Sequence, residues 1–432
     1  MMKVVLMLLY MMICCISIPL KVKLFTKLSS ASPASSSITS SASSSITSPA
    51  SSSSASTTSP ASSITSSLSN NIEITKPLKL PIWPVYSGVI AQIFDWLGLH
   101  DLSEAIVSKV GGRVIPITLA NSLDPFLLLV HHAHSFMPFD IIRPLQKLFI
   151  QEGFPSHPHS GFDTVTITLE SGLRHRDDQG IIQSYSDGDI QWMRAGRGTI
   201  HEEMWDLFES NKKNQFKRFE LYQLWVNLPA ARKDDEPIVN LIKANELKFI
   251  NINENVTVQV ICGDVSYGND HDSSIKGPGN VMCESNISIM QVNLSPNAEL
   301  IINTDKQAYL TIFVRRGSLV TDQGEAIYGN VIKINSNSKS QDLVANIVSG
   351  SRGLEALVLL GKPLNEPCLF QGSFVQSDQK KLMRSYKVFS DMGMFWDHSV
   401  NDSDYLDHVN TIRLQDRIKK EINLEIENER YM

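Results

Sequence analysis

Between Phe162 and Glu170 the chain reads FDTVTITLE, with Val165, Ile167 and Leu169 on one parity and Thr164, Thr166 and Thr168 on the other. Strict alternation over so short a stretch predicts a strand with one apolar face, because successive side chains leave a strand on opposite sides. ELYQLWVNLP, from Glu220 to Pro229, alternates likewise, and QSYSDGDIQWM carries a turn at Ser186–Asp189 before another strand. The charged stretch AARKDDEP follows Pro229, after which VTVQVICGDV, NISIMQVNLSPNAELIINT, AYLTIFVRRGSLVT and LEALVLLGKPL resume the β texture. Short strands separated by turn signals predict a sandwich or barrel. The pattern therefore predicts an all-β chain of two jelly-roll β-barrel domains in tandem, with a few short flanking helices.

The period changes outside these blocks. Val89, Ile90, Ile93, Phe94 and Leu97 follow helical spacing up to Gly98, and Asp101 or Ser103 can cap a second short helix ending at Gly111–Gly112. From Leu414 the sequence LQDRIKKEINLEIENERY predicts a charged helix with a narrow apolar stripe. Val4–Leu20 is apolar after Lys3, as in a signal peptide or signal anchor. No acidic residue occurs between Lys21 and Asn71, and Ser and Thr dominate there. Such a segment buries too little apolar surface to fold. It reads as a transit peptide or a glycosylated stalk, so the expected destinations are the plastid, through a bipartite presequence, or the secretory and extracellular route. The expected organisation is a signal segment over 1–28, a disordered segment over 29–71, a helical extension over 72–112, a first barrel over 113–235, a second over 236–380 and a helical tail over 381–432.

Composition removes some function classes. The 432 residues carry a net charge of −6 with no dense Lys/Arg cluster, so direct nucleic-acid binding is not expected. Membrane contact is expected only through the N-terminal apolar segment, and the folded part is expected to be a monomer. Beyond Cys14 and Cys15, the thiols Cys262, Cys283 and Cys368 are widely spaced and form no CxxC. They suit neither a disulfide framework nor a thiolate zinc site. Sequons at Asn255, Asn286, Asn293 and Asn401 do not separate the two destinations.

The candidate chemistry lies in the histidines. The chain has 11, and FPSHPHSGFDTVT places His157 and His159 two apart, while GRGTIHEEMW places His201 and Glu203 two apart. Residues i and i+2 on a strand share a face. If the two strands are neighbours facing a barrel interior, three imidazoles and a carboxylate converge. That donor set suits a divalent Fe, Mn, Ni, Cu or Zn ion. Pro158 has no N–H for a ladder and belongs at a strand edge or start. His131, His132 and His134 in HHAH lack the nearby carboxylates that a second metal site needs; lining the pocket entrance is the other role weighed for them, and neither is assigned. His175 in LRHRDDQG reads as a solvated turn residue, and Trp192 and Met193 as core.

GFPSHPHSGFDTVT, followed by GDIQWMRAGRGTIHEEM, resembles the pirins, bicupins of the cupin superfamily. SLDPFLLL and LYQLWVNLP fit the same family, and EPCLFQGSFVQSD fits it more weakly. The resemblance implies one iron, Fe(II), in the first cupin, held by His157, His159, His201 and Glu203. It departs from the family at Asp163, where Glu is usual and a strand-entry role is expected, and at Ser160, where an Arg near the site mouth is usual. The segment His131–Glu152 reads as an insertion like that of algal pirin-like sequences. The resemblance implies either a quercetinase-type dioxygenase or a non-enzymatic iron-dependent redox-sensing co-regulator; a catalytically inactive bicupin is the third reading. In the enzymatic one, favoured here, a small flavonol-like phenol is the substrate and Glu203 is both ligand and catalytic proton acceptor.

Overall fold

The computed structural model describes residues 70–82, 93–103, 111–119, 123–136, 152–207, 217–268, 274–283, 286–304, 309–336, 343–392, 396–397 and 399–413. The signal and Ser-rich segments up to residue 69, the helix expected from Leu414 and most of the stretch read as an insertion lie outside them. Strand β1 is Asn70–Thr75, β2 Leu80–Ile82, β3 Gly111–Thr118, β4 Phe126–Phe136, β5 Gly153–His159 and β6 Phe162–Glu170. They are followed by β7 Gly172–Asp177, β8 Ile182–Ser186, β9 Ile190–Arg194, β10 Thr199–Asp206, β11 Lys217–Asn227 and β12 Ile238–Ile242.

The first barrel packs a four-stranded sheet, in the order β5-β10-β7-β8, against a seven-stranded sheet in the order β12-β9-β6-β11-β4-β3-β2. A second, larger sheet is built mainly from the segments between Ile250 and Gly361. Its interior is filled by aliphatic side chains such as Val292, Ile312, Leu319, Ile347 and Val358. The chain is thus built of two β-barrels in tandem, as its pattern predicts.

The structure departs from the sequence expectation in four places. Residues 72–112 are not purely helical: helical turns occur at 93–96 and 100–103, but β1 and β2 also fall in this stretch. β1 crosses to the second barrel, where Asn70 pairs with Ser336 and Ile74 with Ile332. β1 thus begins two residues inside the segment expected to be disordered, 29–71. β12 lies beyond 235 yet pairs with β9, Ile238 opposite Arg194, and so belongs to the first barrel. His131–Phe136 is not inserted loop but the second half of β4, paired with β3 and β11.

The apolar parity of β6 points away from the first barrel's interior. Val165 and Ile167 join Ile115, Trp192, Tyr222 and Leu224 in one cluster with Phe313, Val331, Leu357 and Leu359 of the second barrel. This contact between barrels is the major apolar core of β6, and Trp192 is part of it, donating to Asp163 at 2.9 Å. Asp163 also pairs with Arg194, so it ties β6 to β9 at the barrel interface. The threonine parity consequently faces inward and adds polar groups to an interior that also holds Leu173, Phe219, Leu221 and Trp225.

After the second barrel the chain returns to the first. Ser160 bridges Phe374, and the helix Gln379–Met392 with helical residues 402–413 covers the outer face of β5, β10 and β7. Ile200, Phe374, Leu382, Phe389, Trp396, Tyr405 and Val409 form this contact. Beneath it Arg176 is fully buried, paired with Glu202, stacked on Tyr405 at 4.8 Å and donating to Val400 O. Gly161 has φ +85°, and a Cβ there would lie 1.8 Å from Val375 O, so only glycine admits the returning strand. Ser160, expected near the site mouth, is instead buried under this return and accepts from Gln376 Nε2 at 3.1 Å. From AARKDDEP, Lys233 turns inward and donates to Gly161 O and Asn227 Oδ1.

Deleting residues 379–432 should expose Ile200 and Phe374 and leave the Arg176–Glu202 pair facing water on one side. Each large apolar side chain re-exposed costs about 1.5–3 kcal/mol, so the urea midpoint should fall markedly. An unchanged midpoint would show that the tail is an accessory to the barrel.

Candidate metal centre

β5 and β10 pair antiparallel with His157 opposite His201 and His159 opposite Thr199. β10 and β7 pair with His201 opposite Asp177 and Glu203 opposite His175. Directly opposed residues share a face. One inner face therefore carries His157, His159, His201, Glu203, His175 and Asp177. β5 is the edge of its sheet, which accommodates Pro158 between the two histidines. A register shift between His201 and Glu203 re-aims the end of β10.

One donor atom from each of His157, His159 and His201 lies within 4.8 Å of the others. Their ring centroids are 4.5–4.9 Å apart. His157 Nδ1 donates to Pro155 O at 2.7 Å, which fixes the tautomer and leaves Nε2 as a lone pair. Nε2 of His159 and of His201 are buried without a hydrogen-bond partner. Burial depresses all three imidazoles, His159 and His201 far below the ordinary histidine value, so they stay neutral. Neutral, buried and otherwise unsatisfied imidazole nitrogens are the form that ligates a metal ion. Three converging ones fit a divalent metal. His157 is the least buried of the three.

Glu203 lies on the same face but outside the three-nitrogen group. Its Oε1 accepts from Tyr185 OH at 2.5 Å and Thr166 Oγ1 at 3.1 Å, and its Oε2 accepts from Gln223 Nε2 at 2.9 Å. Burial first, then the charge of Glu203, holds the Tyr185 phenol far above its ordinary value, so it is a fixed donor. The expected fourth ligand is thus anchored by three partners that sequence reasoning did not single out. The inward threonine parity of β6 was the one signal for them.

The remaining histidines separate. His131 faces the second barrel and contacts Glu220 at 3.0 Å, in the network where Arg315 bridges Glu220 and Glu355. His132 and His134 point into the first barrel, stacked at 5.8 Å among Phe154, Trp205 and Phe219. His175, expected to be solvated, is fully buried beside His201. Cys262, Cys283 and Cys368 are free thiols.

Fold and site together define a bicupin with a three-histidine centre, suited to a metal ion, in its first barrel. Residues 107–226 match the Pirin family and residues 289–395 match the Pirin C-terminal cupin domain. The chain is 31% identical to "Pirin-1" of Arabidopsis thaliana, over 60% of this chain and 79% of that one. It is 28% identical to a "Pirin-like protein" of Caulobacter vibrioides, over 64% and 90%. A crystal structure of quercetin 2,3-dioxygenase from Acinetobacter baumannii superposes with a TM-score of 0.52 at 26% identity, covering 65% of this chain and 91% of that one. The chain belongs to the pirin family.

Proposed function

We propose that the first barrel is the active site of a metal-dependent dioxygenase of quercetinase type, acting on a flavonol-like phenol. The observation that carries this reading is the group of three converging imidazoles, two of them buried with unpartnered nitrogens, beside an anchored carboxylate. Likeness to the Acinetobacter baumannii quercetin 2,3-dioxygenase supports it. His157, His159 and His201 would hold Fe(II), with Glu203 on the same face as the fourth donor. Bound iron supplies the redox chemistry that dioxygen activation needs.

The chain's own residues then do the rest. Tyr185, Thr166 and Gln223 hold the Glu203 carboxylate in one orientation. Oε2, which accepts from Gln223 alone among these, retains lone pairs to take the proton of a phenolic hydroxyl. The apolar ring walls of Phe162 and Trp225, each near 5.2–5.3 Å from His159, line the histidine group and favour a flat aromatic substrate. The N-terminal segment would take the protein to a plastid or out of the cell, away from chromatin.

The test is oxygen uptake by the iron-loaded protein with a series of flavonols and catechol-like phenols. Uptake that depends on both iron and a flavonol is expected. No uptake with any of them would sink the dioxygenase reading and favour a non-enzymatic, iron-dependent binding protein.

A further inference from the structure

His175 and Asp177 lie inside the first barrel and are not in the three-histidine group. Both are fully buried. Asp177 Oδ1 accepts from two backbone amides, Gln179 N at 2.9 Å and Ile181 N at 3.0 Å. Its Oδ2 meets His175 Nε2 at 3.2 Å, and His175 Nδ1 meets His201 Nδ1 at 3.4 Å. The last atom of this chain, His201 Nε2, has no protein partner.

Proton direction along the chain follows from its first link. A carboxylate oxygen only accepts, so His175 carries its proton on Nε2 and donates it to Asp177. A neutral imidazole then has a lone pair on the other nitrogen. His175 Nδ1 must accept, and the donor facing it is His201 Nδ1–H. With that proton on Nδ1, His201 keeps its lone pair on Nε2, the buried nitrogen that has no protein partner. We propose that Asp177 and His175 are positioning residues that set the tautomer and ring orientation of His201, so that Nε2 is the metal-binding atom. The proposal rests on His201 being a ligand. Tyr405 reinforces the chain by donating to the Asp177 carbonyl, which ties the C-terminal return to β7.

The two backbone amides make an isosteric test sharp. In Asp177→Asn the amide oxygen must stay at the Oδ1 position, because two N–H groups point at it. The –NH2 is then forced toward His175 Nε2, which must become an acceptor. His175 would move its proton to Nδ1 and donate to His201 Nδ1, and His201 would carry its proton on Nε2, where it cannot ligate. Shape is conserved and only the direction of the chain reverses.

The experiment uses the full chain labelled with 15N-histidine. Long-range 1H–15N spectra of the metal-free protein read each tautomer, and titration with Zn2+ against a chromophoric chelator reads affinity. In the wild type His201 should be the Nδ1–H tautomer and His175 the Nε2–H tautomer. Asp177→Asn should invert both and weaken Zn2+ binding about 10- to 100-fold, the range for loss of such an outer partner. His175→Phe should weaken it similarly, while His175→Asn, whose amide oxygen can replace Nδ1 as acceptor, should recover most of the loss. This pair carries the test if Asp177→Asn does not fold. Wild-type tautomers opposite to those stated, or Asp177→Asn and His175→Phe binding Zn2+ within about threefold of wild type, would overturn the proposal. Zn2+ binding undiminished in His201→Ala would instead overturn the ligand assignment beneath it.

Discussion

His201→Ala should lose the metal ion and keep its fold. His201 is the histidine that links the pair on β5 to the rest of the inner face, opposite His157 in the ladder and 4.9 Å in ring separation from His159. Two imidazoles from one edge strand cannot close a site that three span, so stoichiometric metal after desalting should fall to near zero by elemental analysis. The fold should survive because the largest apolar cluster touching β6 lies between the barrels and does not include His201. His201 Nε2 is also a buried polar atom with no protein partner. Removing it deletes an unsatisfied group, although the smaller side chain leaves a cavity. The metal-free urea midpoint should therefore stay near that of metal-free wild type. Retention of metal by the variant would remove His201 from the ligand set; a collapsed midpoint would make it a structural residue.

Glu203→Gln should separate ligation from proton transfer. Glutamine keeps the shape, and its amide oxygen can still accept from Tyr185 and Thr166. The amide nitrogen then faces Gln223 Nε2, and a flip of the Gln223 amide restores that hydrogen bond. The variant loses charge and the capacity to take a proton. Flavonol-dependent oxygen uptake should fall on the order of 10²-fold, the lower range for losing a general base. Metal content measured on the same samples distinguishes the two roles. Loss of metal in parallel with activity makes Glu203 a ligand, whereas loss of activity with metal retained makes it the proton acceptor. Full activity with metal retained would take it out of proton transfer.

The histidines of the site were legible because their spacing is local. In HPH and HEE the strand period alone puts His157 with His159, and His201 with Glu203, on shared faces. The alternation of β6 was equally plain, but not which parity faces the lumen. Val165 and Ile167 look like the lining of a barrel core. They pack instead against Phe313 and Leu357, residues about 150 and more positions away, and the threonines face the site. His175 was misread for a related reason. LRHRDD is as charged as a turn, yet Arg176 is neutralised by Glu202 on the outer face and covered by Tyr405, while His175 and Asp177 turn inward.

What the amino-acid sequence determined by itself is the class of structure and the spacing of the candidate donors: strand period, turn residues and the HxH and HxE pairs are properties of a few consecutive residues. Tertiary structure decided how those parts are used. It sent β1 into the second barrel, brought Phe374, Leu382, Phe389, Trp396, Tyr405 and Val409 back over the first, turned the apolar face of β6 toward the domain contact, and surrounded Glu203 with Tyr185, Thr166 and Gln223. Each of these joins strands or segments that are apart in the chain. Which face of a strand is covered, and by what, depends on the partner that buries it, and no local period carries that information.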